Sequence, residues 1–108
     1  MSYKVELTDN FKKEAKKLIK KYASLREEIA ELGEELIKNP TIGTSLGNDV
    51  YKIRISIASK KKGKSGGARV ITFVKIVAET IFLLSIYNKG EKDTISNEEI
   101  DTLLKNHL

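Results

Sequence analysis

A chain of 108 residues, 40% hydrophobic and 32% charged, has the size of one globular domain and enough apolar side chains for a modest core, so one domain is expected over residues 1–108. No apolar run reaches the roughly 18 residues of a membrane helix, and Met1-Ser2-Tyr3-Lys4 leads directly into an alternating pattern, so a cytoplasmic protein is expected. The absence of cysteine excludes disulfides, thiolate zinc sites and cysteine nucleophiles. The single histidine, His107, sits beside the C-terminus, so neither a metal nor a cofactor is expected. The net charge of +5 has one source: residues 50–78 carry eight Lys/Arg and no Asp/Glu, residues 1–49 balance nine against nine, and residues 79–108 carry three against six. Such concentration marks a localised site for a polyanion.

Tyr3, Val5 and Leu7 alternate with Lys4, Glu6 and Thr8, the period of a half-buried first strand. From Phe11 the period becomes helical. Phe11, Ala15, Leu18, Ile19 and Tyr22 share one face of a helix started by Thr8 or Asp9, and lysines occupy the rest. Ser24 with Glu27 reads as a capping box for a second helix that turns Leu25, Ile29, Leu32, Leu36 and Ile37 to the core and stops at Asn39-Pro40. A loop from Thr41 to Asp49 leads to a second strand, where Tyr51, Ile53 and Ile55 alternate with Lys52 and Arg54. A third strand is expected over about Ala68–Lys75. A fourth, Thr80–Tyr87, is so apolar that it should lie centrally with both faces covered. Ser96 with Glu99 caps a short last helix. The order β-α-α-β-β-β-α gives an α+β fold: a small, largely antiparallel sheet with the helical hairpin on one face and the other face partly free.

Lys52 and Arg54, two apart on a strand, leave the same face, and Arg69 can join them from the next strand. A cluster of cations suits metal-free cleavage of RNA, because the 2′-hydroxyl is an internal nucleophile beside the scissile phosphate. What the reaction needs is a base, cations for the charge developing on phosphorus, and an acid for the 5′-oxygen. Neighbouring cations favour a neutral lysine, which makes Lys52 the candidate base, while Arg54 and Arg69 suit the electrostatic role. Tyr51 and Phe73 read as core rather than as base-stacking residues, and His107 as a solvated terminal side chain. Gly66 and Gly67 serve a turn.

The segment Tyr51-Lys52-Ile53-Arg54, the glycine-containing basic loop from Gly63 to Ile71 and the strand Ile81–Lys89, in that order, resemble a RelE/ParE-superfamily toxin, closest to the HigB branch. The resemblance implies the RelE-like fold and a type II toxin of a toxin–antitoxin pair. It further implies a ribosome-dependent endoribonuclease that cleaves mRNA in the A site without a metal and is neutralised by a cognate antitoxin. Carried over, Lys52 falls on the catalytic lysine, Arg54 on a second cation and Arg69 on the arginine after the glycine turn. RelE has an arginine after its last strand that acts as general acid and a tyrosine near its C-terminus. Here Asn88-Lys89-Gly90-Glu91-Lys92 offers lysines, of which Lys89 is the first choice for the acid and Lys92 the second. Lys60, Lys61, Lys62, Lys64 and Lys92 are the expected RNA-binding residues. Two other readings stay open on the same fold, a ParE-like inhibitor of DNA gyrase and a non-catalytic nucleic-acid-binding module. The basic stretch also offers a handle for an acidic antitoxin segment.

Overall fold

The computed structural model describes residues 3–60, 67–92 and 94–107, with the side chains of Lys60 and His107 excluded. Strand β1 spans Lys4–Leu7, helix α1 Asp9–Lys21, helix α2 Leu25–Lys38, strands β2 Thr44–Gly47, β3 Val50–Ile55, β4 Ala68–Lys75 and β5 Thr80–Asn88, and helix α3 Asn97–His107. The five strands form one sheet in the order β1-β5-β4-β3-β2. β2, β3, β4 and β5 pair antiparallel in sequence order, and β1 lies parallel against β5.

The hairpin of α1 and α2 covers one sheet face, burying Phe11, Leu18, Leu25, Leu32 and Leu36 against Ile53, Val70, Val74, Ile81, Leu83 and Ile86. On the other face Ile100 of α3, with Ile95 just before the helix, packs against Val50, Ile71, Leu84 and Tyr87. β5 is therefore sandwiched, as its composition predicts: Ile81, Leu83 and Leu84 are fully buried. α3 covers only part of its face, and that sets the position of the site.

Thr8 ends the β1 alternation. Its Oγ1 accepts from the Phe11 N–H (3.2 Å) as the N-cap of α1 and donates to the Leu83 carbonyl (2.8 Å), so a threonine is buried where the pattern placed a solvated residue. Leu7, expected inside, is 40% exposed because β1 is an edge strand.

A bulge interrupts the β4–β5 pairing: Ile71 faces Ser85 but Thr72 faces Leu83, leaving Leu84 as the extra residue. Beyond it the side-chain parity of β5 switches, so Ile86 joins Leu83 on the hairpin face and Tyr87 joins Leu84 on the α3 face. Glu14 of α1 holds this bulge. Its Oε1 accepts from Ser85 Oγ (2.7 Å), the Ile86 N–H (3.3 Å) and Asn10 Nδ2 (2.8 Å). Amphipathic periodicity gave no reason to single out this carboxylate.

Three expectations are corrected. The Thr41–Asp49 loop contains β2, whose four residues are all exposed, so no hydrophobic period betrays the strand. The box at Ser24 does not form. Ser24 has helical angles (φ −66°, ψ −18°), makes no capping bond, and its hydroxyl donates to Glu28 and meets Ser59 Oγ at 2.8 Å. The tight connection between the helices, closed by the Leu25 N–H on the Tyr22 carbonyl (3.1 Å), leaves no extended residue to act as cap. Ile37 lies 43% exposed, off the buried stripe of Leu25, Leu32 and Leu36. The second capping box does form, with the Glu99 N–H on Ser96 Oγ (3.1 Å) and the Ser96 N–H on Glu99 Oε1 (3.3 Å).

Candidate functional site

The cations meet at the end of the sheet that α3 leaves uncovered. β3 alternation puts Lys52 and Arg54 on the α3 side, and the β3–β4 register sets Arg54 directly opposite Arg69 and Lys52 opposite Ile71. The β4–β5 register continues the row from Arg69 to Tyr87. Lys92 completes it, with Nζ 5.5 Å from the centre of the Tyr87 ring. Arg54, Arg69, Tyr87 and Lys92 thus form one line across three strands and the following turn. The sequence places Tyr87 at the end of the fourth strand but gives it no role in the site, since the bulge that turns it to this face is visible only in the strand register.

The members differ in exposure. Arg54 is exposed and Lys52 half-buried, while Arg69 is only 3% exposed and has Nη1 3.2 Å from the Ala68 carbonyl, to which it donates. Buried arginine keeps its charge, so it supplies a fixed positive field beneath the surface. Beside Arg54 the edge of β3 opens on a cleft of about 300 Å³ lined by Glu28, Glu31 and Glu35 of α2. Among the described residues Arg54 forms no ion pair with them.

Two glycines permit this packing. A Cβ on Gly67 would stand 2.0 Å from the Ile55 carbonyl oxygen, and one on Gly43, at φ +102°, would stand 2.5 Å from that of Lys52. Gly67 also accepts the Lys89 N–H at its carbonyl (3.0 Å), which holds the Lys89 backbone against the start of β4, two residues before Arg69. The turn after β5 is built on Asn88, whose carbonyl takes the Glu91 and Lys92 N–H groups (both 3.0 Å) and whose Oδ1 takes that of Gly90 (3.0 Å). An Asn-Lys-Gly sequence is a legible turn signal. The resulting turn presents Lys92 at the end of the cationic row.

The turn is tied at both ends. Lys21 of α1 bonds Glu91 (3.3 Å), which raises the lysine pKa. Lys92 bonds Glu99 Oε2, and this bond, ahead of the capping bonds from Ser96, holds the Glu99 carboxyl below its ordinary value. One carboxylate therefore starts α3 and holds Lys92.

Lys61, Lys62 and Lys64 lie outside the described residues. Lys60 ends a short 3-10 turn, Ala58–Lys60, and its side chain is likewise outside, as is that of His107. Tyr51 packs into the core under the helical hairpin, on the face away from the cations, and Phe73 stacks with Phe82 (centroids 6.4 Å apart, planes at 27°) beside the α3 cluster, as core aromatics do. Among the described residues no group of three His, Asp or Glu side chains comes together as a metal site would require, and no helix is long and apolar enough to cross a membrane.

The architecture is that of a small α+β protein with a cationic row at one end of its sheet. Over residues 3–107 the chain matches the sequence profile of the RelE toxin of the RelE/RelB toxin–antitoxin system. Its fold is similar to that of an arginine-to-alanine double mutant of E. coli toxin RelE in the free state, at 22% identity and a TM-score of 0.67 over the full length of both chains. It is similar also to a chain of the intact E. coli RelBE toxin–antitoxin complex, at 24% identity and a TM-score of 0.62 over 80% of this chain and 95% of that one. The same double mutant in complex with an antitoxin RelBc peptide matches at 22% identity and a TM-score of 0.63, again over both full lengths. The chain belongs to the RelE toxin family, within the RelE/ParE superfamily, and is a toxin of a type II toxin–antitoxin module.

Proposed function

We propose that this toxin is a ribosome-dependent endoribonuclease acting in the cytoplasm on mRNA in the ribosomal A site. The observation that carries the reading is the register pairing of Arg54 with Arg69, with Lys52 on the same face. Three cations gathered on one face of adjoining strands suit the binding of a phosphate anion. In this reading the Lys52 amine is the base that removes the 2′-hydroxyl proton. The 2′-oxygen attacks the adjacent phosphorus while exposed Arg54 binds the non-bridging oxygens and buried Arg69 favours the developing negative charge through its field, and the bond to the 5′-oxygen breaks. Lys89 gives that oxygen its proton, leaving a 2′,3′-cyclic phosphate and a 5′-hydroxyl. The reaction uses no metal, because the substrate carries its own nucleophile. Lys92, with Lys60, Lys61, Lys62 and Lys64, binds the flanking backbone. The partner that neutralises the toxin is its cognate antitoxin, a reading supported by the family and by the antitoxin complexes of the structural relatives.

The test is cleavage of mRNA on programmed ribosomes by the wild type and by Lys52→Ala and Arg69→Ala. Loss of a general base or of the buried positive charge should lower the rate by about a hundredfold or more in folded protein. Wild-type rates in both variants would refute the assignment. Growth arrest by wild-type toxin without RNA cleavage would favour the gyrase reading.

A further inference from the structure

Strand β1 ends at Leu7 opposite Leu83, so beyond Leu83 the outer edge of β5 has no strand beside it among the described residues. Its backbone groups still need partners, and α1 supplies them from three side chains. Thr8 Oγ1 donates to the Leu83 carbonyl (2.8 Å), Asn10 Nδ2 donates to the Leu84 carbonyl (2.9 Å), and Glu14 Oε1 accepts from the Ile86 N–H (3.3 Å). Glu14 also accepts from Ser85 Oγ (2.7 Å) and from Asn10 Nδ2 (2.8 Å), one helical turn back on α1. The helix thus replaces the missing strand along the stretch that contains the bulge.

That stretch decides what enters the cationic row. If the register of Thr80–Leu83 continued without the extra residue, Arg69 would face Ile86, and Tyr87 would lie opposite Ala68 on the hairpin face. An aliphatic side chain would then stand between Arg69 and Lys92, and Lys92 would lose the ring whose centre is 5.5 Å from its Nζ. The Lys89 N–H would leave the Gly67 carbonyl, and the turn that carries Lys89 and Lys92 would shift by one residue, about 3.3 Å. A misplacement of about 1 Å can already slow a reaction about a hundredfold. Holding the Ser85 hydroxyl and the Ile86 N–H together takes a side chain that accepts several hydrogen bonds at one oxygen, and Glu14, half-buried on α1, is that side chain. We propose that Glu14 is a positioning residue for RNA cleavage: by pinning the bulge it sets Tyr87, Lys89 and Lys92 in place without belonging to the row. The proposal rests on the ribonuclease reading above.

The test is mRNA cleavage on programmed ribosomes by the full-length wild type and by Glu14→Ala, Glu14→Gln and Leu36→Val, with thermal unfolding of each to check that the fold is retained. Leu36 is fully buried on α2, away from the bonds that hold the bulge, so its trimming lowers stability alone. Glu14→Ala should lower kcat by about tenfold or more and leave KM within about threefold of wild type. Glu14→Gln, whose amide oxygen still accepts, should keep kcat within about threefold, and so should Leu36→Val. In native-state hydrogen exchange the Ile86 N–H should exchange about tenfold or more faster in Glu14→Ala than in Glu14→Gln. Wild-type kcat in Glu14→Ala would overturn the positioning role while leaving the ribonuclease reading intact. An equal fall in Leu36→Val would reduce the effect to lost stability and overturn the role as well, as would a fall in Glu14→Gln matching that in Glu14→Ala. Absence of cleavage by wild-type toxin would remove the ribonuclease reading and this proposal together.

Discussion

Arg54 and Arg69 are cross-strand partners in the β3–β4 pair, one exposed and the other 3% exposed. Like charges set directly opposite on a sheet repel, and the exposed guanidinium is the easier to remove. Replacing Arg54 by Thr, a good strand former, should raise stability by about 0.2–1 kcal/mol in urea unfolding while lowering mRNA cleavage. Reduced stability together with full activity would show that the pair is not held in opposition for function.

The sandwiching of β5 predicts the cost of hollowing it. Leu83 packs against the helical hairpin and Leu84 against the α3 cluster, both with no exposed surface. Leu83→Ala and Leu84→Ala should each cost about 2–5 kcal/mol. A loss below about 1 kcal/mol at either position, measured by denaturant titration, would mean that its face of β5 is open.

Gly67 is a position where one methyl group has a large effect. Its added Cβ would meet the Ile55 carbonyl at 2.0 Å, so Gly67→Ala must push β3 and β4 apart at the end that carries Arg54 and Arg69. We expect a loss of about 1–3 kcal/mol, together with weaker cleavage as the row loses its register. Unchanged melting and unchanged activity would show that the close approach is not required.

Glu99 couples the turn to acid. Its carboxyl is held below the ordinary value, first by the Lys92 bond. Its contribution is therefore complete above the ordinary glutamate value of about 4.3 and is lost as the pH falls through the lower folded value. Glu99→Gln keeps an acceptor for the Ser96 cap but cannot ionise. The stability advantage of wild type over this variant, followed by urea unfolding, should be constant near neutrality and disappear between about pH 4.3 and strongly acidic pH. An advantage that persists unchanged at pH 3 would mean that the bond to Lys92 contributes nothing.

The sequence by itself determined the type of every main element except the edge strand β2, the layers, and where the positive charge concentrates. Helical spacing in Phe11–Tyr22, alternation in Tyr51–Ile55 and the solid apolar run of β5 are local consequences of which side chains must leave water. The absence of any acid between residues 50 and 78 marked the basic stretch before any fold was known. Tertiary structure alone decided what depends on register and on pairing between distant segments. β1 pairs parallel with β5 across more than 70 residues, and β2 hides because an edge strand exposed on both faces needs no apolar period. The box at Ser24 fails where the one at Ser96 succeeds because a cap needs an extended backbone, which the tight α1–α2 connection denies. The row Arg54-Arg69-Tyr87-Lys92 exists because Glu14 pins an extra residue into β5 and Asn88 folds the turn beyond it. A shift of one residue moves a side chain to the opposite face, and hydrophobic periodicity within a single strand carries no record of which partner it will meet.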